Sequence, residues 1–147
     1  MSGPGQSAAV VRRLREMLLR QRERFQHYLA ILEQEERDIR AGDAEMLLGH
    51  VELEQSVIAD IVTLRRVIAP LEELYQASYP EPEGTIPPLA LTLEKMGAQV
   101  AERNARNRAM LQRSMEDLRR EIASLRAWPR EGSPFVEVVP TLVDITT

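Results

Sequence analysis

Cysteine is absent from the 147 residues, which excludes disulfides and thiolate metal sites and fits a reducing compartment. Aromatic residues make up only 4%, so the core must come from Leu, Ile, Val and Met seams between helices rather than a thick sheet interior. Histidine occurs only as His27 and His50. Neither has the Glu-x-x-His spacing of a di-metal helical bundle, so no metal site is expected, and His50 reads as a surface residue although Glu54 follows it on the same helical face. Phosphate-binding glycine loops, the Gly-x-Ser-x-Gly elbow and His-Glu-x-x-His are all missing; nothing points to an enzyme and no cofactor is expected. No apolar run approaches the roughly 18 residues of a membrane span, and MSGPGQSAAVVRRLREMLL lacks the apolar stretch and cleavage site of a secretory signal. A soluble cytoplasmic protein follows as the expectation. A surplus of positive charge is also lacking: the formal net charge is −4, which argues against general nucleic-acid binding.

Charge is nevertheless abundant, at 29% of residues, and it is unevenly placed. Arg12 to Arg24 is basic, Glu33 to Glu73 strongly acidic, and Glu94 to Arg126 basic again. Three successive helices with alternating flank charge fit this order, although any one exposed pair contributes little.

The apolar periodicity predicts an all-α fold: a long antiparallel helical hairpin plus a third long helix, a three-helix coiled-coil-like bundle over 1–127, with an extended apolar tail over 128–147. Residues 1–6 read as a leader and Ser7 as a cap for a first helix over about 7–40. Its seam is Val11, Leu14, Leu18, Phe25, Tyr28, Leu32 and Ile39, with Gln21 and Glu35 at the two intervening positions. Ala41-Gly42-Asp43 is a stop followed at once by a start, because Gly42 can take a positive φ and Asp43 can cap the next helix. The second helix, about 43–77, carries Val57, Ile61, Leu64, Ile68, Leu71 and Tyr75, with Leu48 and Val51 expected to extend the stripe. Pro70 lies inside it and predicts a kink or break near Arg66. The proline-rich Ser78 to Pro88 cannot be helical throughout, and a third helix follows over about 87–127, opened by Thr85 or by Pro87 and Pro88.

That third helix holds the informative stretch. Leu89, Leu93, Met96 and Val100 form one seam, and Leu111, Met115, Leu118, Ile122 and Leu125 resume it in a shifted phase. Between them, Asn104 and Asn107 occupy places where a plain coiled coil carries hydrophobes. Two readings stand: the asparagines set register inside the bundle, or they line a groove for another protein's helix. Arg103, Arg106 and Arg108 around them are either solvated or paired with the acidic second helix. Beyond, WPREGSPFVEVVPTLVDITT mixes three prolines with an apolar content too high for an ordinary tail, and reads either as a free end or as a docking peptide.

On NARNRAMLQRSMEDLRREIASL, on the Gly-Asp reversal in IRAGDAEML, and on the plan of three helices followed by an apolar tail, the sequence resembles the FlgN-type flagellar export chaperones. The resemblance spans about residues 10–147. It implies a cytoplasmic chaperone that binds C-terminal helices of the hook-filament junction proteins FlgK and FlgL. Such a chaperone prevents their premature assembly and delivers them to FlhA, the gate protein of type III export. It implies client contact at Asn104, Asn107, Leu111, Met115, Leu118, Ile122 and Leu125. Docking on the gate falls to an aromatic beyond the third helix, where this chain has Trp128 and Phe135 and lacks the family's usual tyrosine. The alternative is a structural coiled-coil protein that self-associates, as a homodimer for example, through the same seams.

Overall fold

The computed structural model describes residues 4–79 and 84–127. They form three helices, α1 (Pro4–Ala41), α2 (Ala44–Ser78) and α3 (Ile86–Arg126). The protein is an all-α three-helix bundle, and no strand occurs among the described residues. Two compact units divide the chain, Met1–Leu111 and Gln112–Thr147; α3 contributes to both.

Helix α1 begins at Pro4, ahead of the expected cap at Ser7, because proline is compatible with a first turn whose N–H groups have no intrahelical acceptors. It ends in a reversal whose hydrogen bonds can be counted. Gly42 has φ +73°; its N–H donates to Ile39 O (3.1 Å) and the N–H of Asp43 donates to Asp38 O (3.0 Å). This pair of bonds is the Schellman arrangement, closing α1 on a residue that L side chains disfavour. The Asp43 carboxylate then accepts from the Met46 N–H at 3.3 Å and caps α2.

Helix α2 runs unbroken through Pro70. Of the kink or break expected near Arg66, the break is absent; Pro70 is exposed, and flanking residues Ile68, Leu71 and Tyr75 are anchored in the core. At its end, the Tyr79 N–H donates to Tyr75 O at 2.8 Å, and the two rings lie 5.3 Å apart. Thr85 O accepts from Leu89 N at 3.3 Å, so Pro87 and Pro88 occupy the first turn of α3, where no N–H is required.

Within the first unit, two apolar clusters fill the bundle. One joins Leu14, Met17 and Leu18 of α1 to Ile68 and Tyr75 of α2 and to Ile86, Leu89 and Leu93 of α3. The other joins Tyr28, Ile31 and Leu32 to Val57, with Ile61 and Val100 against it. These partners define the directions: early α1 meets late α2 and early α3, so α1 and α3 run parallel and α2 runs against both. Leu48 and Val51 do not extend the α2 stripe and are exposed. Counting back from Tyr75, Ile68, Leu64, Ile61 and Val57, the 3-4 spacing arrives at Glu54 and His50 instead.

Candidate partner-binding surface

The inward seam of α3 continues from Leu93 through the half-buried Met96, Val100 and Asn104 to Asn107. Asn107 is 2% exposed. Its Nδ2 donates one hydrogen to Leu32 O at 2.9 Å and one to the Glu35 carboxylate at 3.1 Å. Both amide protons are therefore committed to α1. As a contact residue for a partner, Asn107 is corrected by its own burial: it sets the register of α3 against α1, the role that a polar residue plays in a helical seam. Asn104 lies beside it, half-buried.

Of the arginines around these residues, Arg103 and Arg106 pair with α1, whereas the Arg108 charge acts on Glu54 of the acidic second helix. Arg103 Nη1 lies 2.9 Å from Glu33, and Arg106 Nη2 lies 3.7 Å from Glu36. Parallel packing of α3 on α1 places this basic stretch along the acidic last third of α1. The pairs are partly exposed, and each contributes no more than about 1 kcal/mol.

A second polar group joins the hairpin. His50, expected on the surface, is buried and hydrogen-bonds through Nε2 to Asp38, which also accepts from Gln34 Nε2 at 3.1 Å. The hydrogen bond from His50 is the main reason that the Asp38 carboxyl titrates below its ordinary value, with those from Gln34 and the nearby Arg37 charge assisting. One turn along α2, burial pushes the Glu54 carboxyl up to about 8, with a hydrogen bond to Glu35 and the Glu35 charge adding to the effect and Arg108 opposing it. Burial also raises the Tyr28 hydroxyl, with Glu54 and Glu35 contributing. Sequence reasoning had put His50 and Glu54 on one face; the heptad continuation of α2 was the signal that this face points inward. No group of three or more His, Asp or Glu able to hold a metal ion occurs among the described residues.

From Leu111 onward, α3 changes character: every residue from 111 to 127 is exposed. Leu111, Met115, Leu118, Ile122 and Leu125 repeat at spacings of 4, 3, 4 and 3 and so share one face. Leu118 is 57% and Leu125 69% exposed. Arg119 and Arg126 border this stripe on one side and Glu121 on the other, while Arg120 is paired with Asp117. A stripe of this form, unlike scattered apolar residues, is the standard seat for a second helix. Trp128 and Phe135 lie outside the described residues.

The described residues thus define a class: an all-α bundle of three long helices whose third helix bears an open heptad stripe. Across 121 residues, the chain is 37% identical to an uncharacterized protein of Treponema pallidum (strain Nichols), a match that covers 81% of this chain and 77% of that protein. The chain belongs to the same family as that spirochaete protein. No family model matches it, and no solved structure does. No helix among the described residues is long and apolar enough to cross a membrane.

Proposed function

We propose that this protein is a cytoplasmic export chaperone of the FlgN type, which holds C-terminal helices of the junction proteins FlgK and FlgL and hands them to the export gate FlhA. The observation that carries the reading is the exposed stripe Leu111, Met115, Leu118, Ile122 and Leu125 on α3, together with the resemblance of Asn104 to Leu125 to that family's third helix. A client helix with its own apolar stripe polymerises when free. Laid along α3, it removes apolar surface from water at about 25 cal/mol per Å². Association costs of about 4–15 kcal/mol require the contact to run over several turns, which a stripe of five residues over four turns supplies. Asn107 acts here as a positioning residue that sets α3 in register, and the apolar positions are the contact. Trp128 and Phe135 are the proposed gate contacts. No catalytic step or cofactor belongs to this role.

Co-expression with the C-terminal segment of FlgK or FlgL tests it. A soluble stoichiometric complex is expected, and Leu118→Asp should weaken binding at least tenfold, on the order of 1.4 kcal/mol or more, while the circular dichroism of the free chaperone is unchanged. No affinity for either segment would remove the reading. Self-association through the same stripe instead predicts a concentration-dependent dimer that Leu118→Asp dissociates, measurable by sedimentation equilibrium without any client.

A further inference from the structure

The first unit holds a cleft that the proposed function does not use. It has a volume of about 410 Å³ and is lined by all three helices. Leu18 and Phe25 of α1, Ile68 of α2 and Leu93 of α3 supply its apolar surface. Its size lies within the range of binding pockets, about 300–1,000 Å³.

Three features of the lining depart from what packing alone requires. Gly97 lies inside α3, where glycine weakens a helix relative to alanine. A Cβ added there would meet only Phe25 Cζ at 4.0 Å, an ordinary contact, and Gly97 has no positive φ to maintain. Leaving out the side chain keeps the space beside the Phe25 ring open. Gln21 is 6% exposed, and its Oε1 is buried with no hydrogen-bond partner; an apolar residue at that place would orphan no acceptor. Glu72 on the α2 side and Glu94 on the α3 side are exposed and make no ion pair among the described residues. Arg65 is the one base among the lining residues, so the lining carries more negative than positive charge.

We propose that this cleft is a docking site for a tryptophan side chain of a protein partner, presented on a helix with Lys or Arg about one turn to either side. The indole ring packs against Leu18, Phe25, Ile68 and Leu93, and the flanking cations pair with Glu72 and Glu94. Indole suits the cleft because its N–H donates and the ring accepts nothing, which matches an orphaned acceptor. The Gln21 amide turns about its soft terminal torsion to receive it. The occupant belongs to a protein because Ala69, Glu72, Ala90 and Glu94 along the cleft are all exposed. A free small molecule would stay open to water there, whereas small-molecule sites bury about 70–90% of their ligands. An anchoring side chain has its outer side covered by its own protein.

A synthetic helical peptide of alanine and glutamine, with one Trp and a Lys one turn before and after it, tests the site through the fluorescence anisotropy of an attached fluorescein. Saturable binding is expected, weaker by about tenfold or more when both lysines are replaced by glutamates. It should also weaken about tenfold when the Trp is replaced by naphthylalanine, a ring of similar size with no N–H. Gln21→Leu should erase the second difference and keep the first. Gly97→Leu fills the cleft and should abolish binding while helical circular dichroism is retained. Glu72→Gln combined with Glu94→Gln, at exposed positions that leave the fold intact, should weaken binding about tenfold. Leu118→Asp should leave it unchanged, so failure of this cleft and failure of the client stripe are distinguishable. No saturable binding, equal affinity for the lysine and glutamate peptides, or full binding by Gly97→Leu would overturn the site. So would a concentration-dependent dimer that blocks the peptide and is dissociated by Trp128→Ala, since the occupant would then be a second copy of this chain.

Discussion

Asn107 shows how a single polar residue acquires its role from its neighbours. In an isolated helix, it is an unremarkable surface amide with poor helix propensity. Packed on α1, it satisfies a backbone carbonyl that already belongs to a helix and a carboxylate that needs donors. Truncation leaves both the cavity and an underserved Glu35. Asn107→Ala is therefore expected to lower stability by about 2–3 kcal/mol, read from the midpoint of urea denaturation. A change of similar size for Asn104→Ala would contradict the assignment, since no hydrogen bond ties Asn104 to α1 in the same way.

Among the elements, the reversal between α1 and α2 is the most tightly specified. Gly42 lies in open space, with nothing within 4 Å of an added Cβ, so its conformation alone limits substitution. Gly42→Ala should cost about 1–2 kcal/mol, the penalty of a left-handed L residue, and Gly42→Asn clearly less, as measured by thermal unfolding. Helix α2 shows the opposite balance. Pro70 opposes its continuity locally, yet core contacts on both sides hold the helix across it. Helix α3 is a composite: up to Asn107 its seam is buried, and from Leu111 the same kind of seam is open. The periodicity of 3 and 4 does not distinguish the two halves.

At the scale of the whole molecule, two carboxyl groups tilt stability in opposite directions. Asp38, held below its ordinary value of 3.8 by His50, contributes stability above that pH and loses it as pH falls through the folded value. Glu54 contributes fully below 4.5 and loses its contribution on the way to about 8. Together they place the optimum from these groups at about pH 4–5. Asp38→Asn should flatten the acid limb of a stability-against-pH curve while leaving the alkaline limb unchanged, and Glu54→Gln should do the reverse. Calorimetry from about pH 2.5 to about pH 9 reads both limbs. Equal slopes in the two variants would show that other groups dominate.

Helix number and boundaries, and the reversal between α1 and α2, were legible in the chain because they depend on local signals. Apolar residues at 3 and 4 mark a helical face, Gly42 and Asp43 mark a reversal, and prolines at 80, 82, 87 and 88 mark a connection. The inward phase of α2 near the turn was also encoded, in the spacing back from Val57 to Glu54 and His50, but the apolar Leu48 and Val51 outweighed it in a reading by hydrophobicity. Only packing decided the fates of the polar residues. Whether Asn107 faces a partner or α1, whether Arg103 meets α2 or Glu33, and whether His50 is wet or buried all depend on which helices lie parallel. That is a property of long-range contacts, not of any segment. Burial then pushed the Glu54 carboxyl up to about 8, since desolvation exists only in the folded chain.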